Sequence, residues 1–206
     1  MEEVILVDFE DRETGRMEKE KAHREAKLHR AFSVFLHRGR ELLIQKRAAG
    51  KYHCGGLWTN TCCSHPRPGE TVREAAVRRL KEEAGIRAEN LEELYRFFYY
   101  APLDHGFTEF ECDHVLVGED AGDFHPDPRE IEELRWVTCD DLKRKMMEHP
   151  EKFTPWFLIC APEAIRFIQS EAAENALSGR NSFRTPKFSA APAAHGNGER
   201  AEIGKP

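Results

Sequence analysis

The sequence predicts an α+β fold in which a mixed β-sheet is packed between helices. Three observations predict it. Short apolar runs separated by turn signals dominate the front and middle of the chain. Residues 70–84 carry the clearest helical periodicity, with capping signals at both ends. Strands and helices do not alternate regularly, which argues against a βαβ layout.

Taken in order, residues 4–7 (Val-Ile-Leu-Val) read as a short buried strand. Residues 31–36 and 41–46 are apolar runs around His37-Arg-Gly-Arg40, a hairpin signal with the turn at those four residues. Residues 57–63 read as one further strand. In the 70–84 helix, Thr71 and Glu74 match a capping box and Gly85 sits where a C-terminal cap belongs. Its apolar stripe is Val72, Ala76, Leu80 and Ala84, with Val77 beside it. Residues 94–100, 109–117 and 131–137 read as strands, and 140–148 and 155–169 as helices. Among the large apolar types, residues 178–206 hold only Phe183, Phe188 and Ile203, too few to offset their ordering entropy. The expectation is one domain over residues 1–177, folded over roughly 3–171, and a disordered tail over 178–206.

A chain of 206 residues buries about 70% of its unfolded surface, enough for a real core. Lys and Arg total 31 against 37 Asp and Glu, a net charge of −6. That balance argues against a nucleic-acid or anionic-membrane binder. No apolar run approaches the ~20 residues of a membrane span, and the acidic N-terminus lacks a signal-peptide pattern. A cytoplasmic protein is expected, and its six cysteines are expected to be reduced. No glycine fingerprint for a dinucleotide is present, so no flavin is expected.

Two constellations carry chemistry. The first is the 70–84 helix with its Glu82-Glu83 pair. The second combines His23, His29 and His65 with Glu109 and Glu111. Two carboxylates two apart on a strand face the same side, so both can reach one ion. Three imidazoles and two carboxylates would suit Mn2+, Mg2+ or an expanded Zn2+ site. Plainer readings stand beside these: solvated charges on the helix, ordinary surface histidines, and a solvated strand face. Cys63 alone reads as a small buried apolar residue, and Trp156 alone as core.

Residues 64–86 resemble the Nudix box, G-x5-E-x7-R-E-U-x-E-E-x-G-U, where U is aliphatic. Glu70, Arg78, Leu80, Glu82, Glu83, Gly85 and Ile86 match, whereas Ser64 replaces the first Gly. Arg79 stands where the box has a glutamate. A guanidinium cannot ligate Mg2+, so the hydrolytic metal cluster looks dismantled, although Glu83 survives. Arg79 can contact a phosphate directly, or pair with Glu83 four residues on.

Further blocks are similar to the type I isopentenyl-diphosphate isomerases of the same superfamily. They are Leu28-His29-Arg-Ala-Phe-Ser33, Trp58-Thr-Asn-Thr-Cys-Cys63-Ser-His65-Pro66, Glu109-Phe-Glu111 and Thr154-Pro-Trp156, in the family's order over about residues 3–171. Cys54-Gly55 departs from a frequent Trp-Pro pair. The resemblance implies a Nudix-like sheet and a buried metal held by His23, His29, His65, Glu109 and Glu111. It implies Cys63 and Glu111 as the catalytic pair, assisted by Tyr99. Glu83, with the carbonyl of Cys63, would hold a Mg2+ arriving with the substrate diphosphate. Lys19, Arg47, Lys51 and Arg79 would contact phosphate, and Trp156 would lie over the reacting carbons. The implied protein is a monomer acting on a small allylic or homoallylic diphosphate, with no nucleic-acid or membrane partner. A Nudix diphosphate hydrolase is the second reading, which Arg79 opposes. A non-catalytic, metal-stabilised interaction module is the third.

Overall fold

The computed structural model describes residues 2–51, 53–88, 90–119 and 122–177. The tail expected over 178–206 lies outside the described residues. The hub of the sheet is β3 (His29–Arg38), ten residues long. Along one side it meets three strands in succession, all antiparallel. These are β1 (Glu3–Val7) at His29, β6 (Cys62–Ser64) at Phe32 to Val34, and β4 (Glu41–Arg47) at Leu36 to Arg38. Along its other side runs β8 (Thr108–Glu119), parallel to it from His29↔Glu111 to His37↔Glu119. Antiparallel strands extend the sheet: β2 (Glu13–Glu18) on β1, β5 (Trp58–Thr59) and β9 (Ile131–Thr138) on β4, and β7 (Glu92–Pro102) on β8. The sheet is therefore mixed, as expected.

Helices cover both faces. On one, α2 (Val72–Arg79) packs Ala75 and Ala76, and the turn that follows it packs Leu80, against Phe32, Val34, Leu36 and Leu116. On the other, α3 (Cys139–Glu148) and α4 (Pro155–Leu177) pack Leu142, Phe157, Cys160, Ile165 and Ile168 against Phe35, Val115 and Val117. Alternate residues of β3 and β8 thus feed two separate cores. No helix among the described residues is long and apolar enough to cross a membrane. All six cysteines are free.

Four details differ from the sequence reading. The 57–63 strand is broken into β5 and β6, because residues 60 and 61 carry the chain from β4 across to β3. There Thr61 Oγ1 donates to Leu43 O (2.5 Å) and accepts from Leu36 N (2.9 Å), bridging the two strands. The hairpin turn is tighter than expected. β3 runs through His37 and Arg38, and only Gly39 (φ 53°) and Arg40 form the loop. The 70–84 helix begins two residues later and finishes as a π-turn, Leu80–Ala84, instead of an α-helix. Its capping box is present, and Gly85 (φ 68°) ends it in the left-handed conformation. A Cβ at Gly85 would lie 2.7 Å from His125 O, so no side chain fits. Finally, β2 and a six-residue helix, α1 (Lys19–Arg24), had no apolar pattern to announce them.

Candidate active site and metal centre

The five metal-ligand candidates come from four parts of the chain. His23 is on α1, His29 opens β3, His65 follows β6, and Glu109 and Glu111 share one face of β8. All five are buried, and one donor atom from each lies within 4.8 Å of the others. The register explains part of this, since His29 lies beside Glu111 in the β3–β8 ladder. His23 Nδ1 is 2.7 Å from Lys19 O and His29 Nδ1 is 2.8 Å from Lys27 O. A carbonyl only accepts, so both Nδ1 atoms carry the proton and both Nε2 atoms turn inward. This outer hydrogen bond is what orients a metal-binding imidazole.

Inside the cluster, His23 Nε2 is 3.0 Å from Glu109 Oε2 and His65 Nε2 is 2.8 Å from Glu111 Oε1. His29 Nε2 faces both His65 Nε2 (3.2 Å) and Glu111 Oε1 (3.3 Å). Lone pairs crowded this closely with carboxylates demand positive charge at their centre. The donors present, three imidazole nitrogens and two carboxylates, fit a divalent ion. Burial and the Glu111 charge push the Glu109 carboxyl up to about 7. Burial also works to raise Glu111, but its contacts with His29 and His65 hold it well below the carboxylate range.

The proton-carrying candidates line the same cavity. Tyr99, opposite Glu111 on β7, donates from its hydroxyl to Glu111 Oε2 at 2.6 Å. Glu111 therefore divides its two oxygens between the cluster and the phenol. Tyr99 is 7% exposed, whereas the adjacent Tyr100 is 60% exposed on the opposite face. Cys62 and Cys63 likewise split. Cys62 packs under α2 with its thiol 3.8 Å from Glu83 Oε2, whereas Cys63 faces the cavity and the α4 core. Burial pushes the Cys63 thiol up to about 12 and the Tyr99 phenol well above its ordinary value, so both are protonated at neutral pH. Trp156, second residue of α4, is buried at the cavity wall.

The four phosphate-contact candidates, Lys19, Arg47, Lys51 and Arg79, all line this cavity. Three face carboxylates: Lys19 with Glu2 (3.3 Å), Lys51 with Glu130, and Arg79 with Glu83 and Glu82 (3.2 Å). Arg47 sits deeper, with Nη1 3.8 Å from Cys63 Sγ and its guanidinium carbon 5.5 Å from the Trp156 ring centroid. Glu83 is buried. Burial raises its carboxyl, with Arg79 opposing, and the π-turn presents it to the cavity. The cavity has a volume of about 40 Å³.

Sequence reasoning missed three contributors. His53, in the loop after β4, lies 3.3 Å from Glu109 Oε1 and edge-on to Trp156 at 6.1 Å between centroids. Asp113 lies on the Glu109–Glu111 face and accepts from Ser33 Oγ at 2.8 Å. Burial, and then the Glu111 charge, raise its carboxyl well above the usual carboxylate range, with the Ser33 hydroxyl opposing. Continuing the alternation Glu109, Glu111 by one step was the signal for Asp113. Glu130 comes from a distant loop, and nothing near it in sequence announced a role.

Comparison with known proteins accords with this geometry. The NUDIX domain profile matches residues 27–157. In fold, the chain is similar to a crystal structure of a Deinococcus radiodurans protein, with TM-score 0.63 and 21% identity over 81% of this chain and 99% of that one. It is also similar to a MutT NUDIX hydrolase from Burkholderia pseudomallei, with TM-score 0.53 and 22% identity over 64% of this chain and 94% of that one. These define the class: a Nudix-fold protein whose box carries an arginine among its glutamates. The curated relatives are more particular. An isopentenyl-diphosphate Delta-isomerase of Photobacterium profundum is 46% identical over 82% of this chain and 96% of its own length. One of Pectobacterium atrosepticum is 46% identical over 75% of this chain and 87% of its own. The chain belongs to the Nudix superfamily and, within it, to the isopentenyl-diphosphate Delta-isomerase family.

Proposed function

We infer that this protein is an isomerase that interconverts isopentenyl diphosphate and dimethylallyl diphosphate, a step of isoprenoid biosynthesis, acting as a cytoplasmic monomer. The observation that carries the reading, beside the family itself, is Glu111. One of its oxygens belongs to the His/Glu cluster and the other accepts from Tyr99, in the cavity that also holds the Cys63 thiol. A hydrolase needs carboxylates on the Nudix helix to hold its ions, and Arg79 occupies one of those positions, ion-paired to Glu83.

The reaction adds a proton to the terminal alkene carbon and removes one from the methylene two carbons away. The alkene π pair forms the new C–H bond, and the pair of the broken C–H bond forms the new alkene. Between the two events the substrate is a tertiary carbocation, which water would trap. Cys63 and the Glu111–Tyr99 pair carry the two proton transfers. They stand on β6 and β8 with β3 between them, so the substrate carbons sit between two proton carriers. The Trp156 ring faces the cation, an interaction of about 2 kcal/mol or more when desolvated. Lys19, Arg47, Lys51 and Arg79 hold the diphosphate, and its remote binding energy fixes the alkene in place. His23, His29, His65, Glu109 and Glu111 hold one divalent ion (Mn2+, Zn2+ or Mg2+), and Glu83 with the Cys63 carbonyl holds a Mg2+ that arrives with the diphosphate. These ions supply positive charge that neutralises the buried carboxylates and the substrate phosphates.

Incubation with isopentenyl diphosphate and Mg2+ is expected to yield the dimethylallyl isomer. Stripping the protein with a chelator should abolish turnover, and His65→Ala should leave the cluster without its ion by metal analysis. Release of inorganic phosphate with no isomer would establish the hydrolase instead.

A further inference from the structure

The β3–β8 ladder repeats one pairing at both ends. His29 lies beside Glu111 at one end, and His37 lies beside Glu119 at the other. Eight residues separate the pairs on both strands, an even number, so all four side chains share a face. At about 3.3 Å of rise per residue the two pairs are about 26 Å apart along the strand. Phe35, Val115 and Val117 pack between them. The far pair is therefore a separate place, outside the cavity that holds Cys63.

A third donor reaches it from α4. Glu171 Oε2 lies 3.5 Å from His37 Nε2. One donor atom each from His37, Glu119 and Glu171 lies within 4.8 Å of the others, and the three line one open cavity. His37 is only 3% exposed, and its buried Nδ1 has no hydrogen-bond partner among the described residues. The other ring nitrogen, Nε2, is the one turned toward the carboxylates, and an ion held there would give this buried imidazole a partner on that side. Neither glutamate pairs with a Lys or Arg among the described residues. Arg38, the cation lining this cavity, is committed elsewhere: to Glu41 at 2.9 Å and to the Trp136 ring at 4.4 Å.

We propose that His37, Glu119 and Glu171 form a further divalent-cation site, away from the cavity and selective for Zn2+ over Mn2+ and Mg2+, that clamps the far part of α4 to the end of the sheet. One imidazole and two carboxylates match the mixed N/O donor set of zinc, with the remaining position open to water. For such donors the affinity order places Zn2+ above Mn2+. Both glutamates are open enough to solvent for an ion to reach them. The clamp acts on the helix whose first turn places Trp156, about 22 Å away along its axis at 1.5 Å per residue.

The test uses the full chain, stripped of metal, mixed with micromolar Zn2+, freed of unbound ion by gel filtration and analysed for zinc. Glu171→Gln and Glu119→Gln, both substitutions of solvent-accessible carboxylates, should each retain one equivalent less than the parent protein. Altering an outer partner of a metal ligand costs about 10–100-fold in affinity, so losing a ligand should weaken the site by at least about 100-fold. The thermal midpoint of the parent should rise with Zn2+ by more than that of either variant. Because the difference between proteins is what counts, this readout is independent of the cluster around Glu111. Equal zinc content in parent and variants, or a parent site filled only at millimolar Zn2+, overturns the proposal.

Discussion

The interior of the cavity and its rim are built on opposite plans. In the interior, His23 and His29 are each held by a backbone carbonyl, Glu111 is held by Tyr99, and the donors converge within 4.8 Å of one another. At the rim, the cations proposed to contact phosphate face the protein's own carboxylates: Lys19 faces Glu2, Lys51 faces Glu130 and Arg79 faces Glu83. The interior must be preorganised, because moving a proton onto an alkene tolerates little misplacement. The rim must accept a polyanion and release it again. Free cations lining so small a cavity would repel one another. The carboxylates offset that repulsion, and on the proposed reading the diphosphate would replace them as partners. Catalytic substitutions should therefore divide into interior losses of turnover and rim changes in binding.

The largest effect should come from the interior. Cys63→Ala is expected to lower kcat by about 10²–10⁴-fold or more, because the proton carrier on one side vanishes. Cys62→Ala, under α2, should keep most of the activity. Equal activities in that pair of variants would break the distinction between the two cysteines.

Next comes Arg79→Glu. It restores the box pattern, yet it changes the charge by −2 beside an anionic diphosphate and removes a charge-assisted hydrogen bond. Isomerisation should collapse, through KM if the contact is uniform binding, and through kcat as well if it positions the alkene. A variant turning over at the parent rate would reduce Arg79 to a partner of Glu83.

A smaller and opposite effect is expected at Glu130, which faces Lys51 and approaches Arg79 at 4.0 Å. Glu130→Gln frees Lys51 and removes a weaker pull on Arg79, which stays paired with Glu83, so KM should fall a few-fold at low salt while kcat holds. The gain should fade as salt screens the rim. A raised KM would show that Glu130 positions the cations and does not merely neutralise them.

The smallest effect concerns stability alone. Arg78 holds the Glu70 carboxyl below its ordinary value of 4.5. A lowered carboxylate stabilises the fold above its unfolded value, and that contribution fades as pH falls through the folded one. Glu70→Gln should cost at most about 1 kcal/mol at neutral pH, because the half-buried pair is still partly screened by solvent. In parallel denaturant titrations the gap between parent and variant should close below pH 4.5. A gap that persists in acid would assign the effect to packing.

The sequence by itself determined the elements whose signals are local. The capped 70–84 helix, the strand of Glu109 and Glu111, and the opposed faces of Tyr99 and Tyr100 follow from periods of 3.6 and 2 and from caps made within four residues. Tertiary structure decided what depends on distant partners. The π-turn at Leu80–Ala84 is closed by the backbone of a loop about forty residues on, which accepts no side chain at Gly85. The strand break at residues 60 and 61 exists because β3 and β4 splay there and Thr61 fills the missing ladder bonds. Helix α1, which brings His23 to the cluster, is six polar-rich residues held by the Glu18 cap and by docking on the sheet, with no apolar stripe of its own. His53 reaches the cavity, and Glu130 reaches Lys51 at its rim, by loops, where no period constrains the side chain, so their places are set by packing alone.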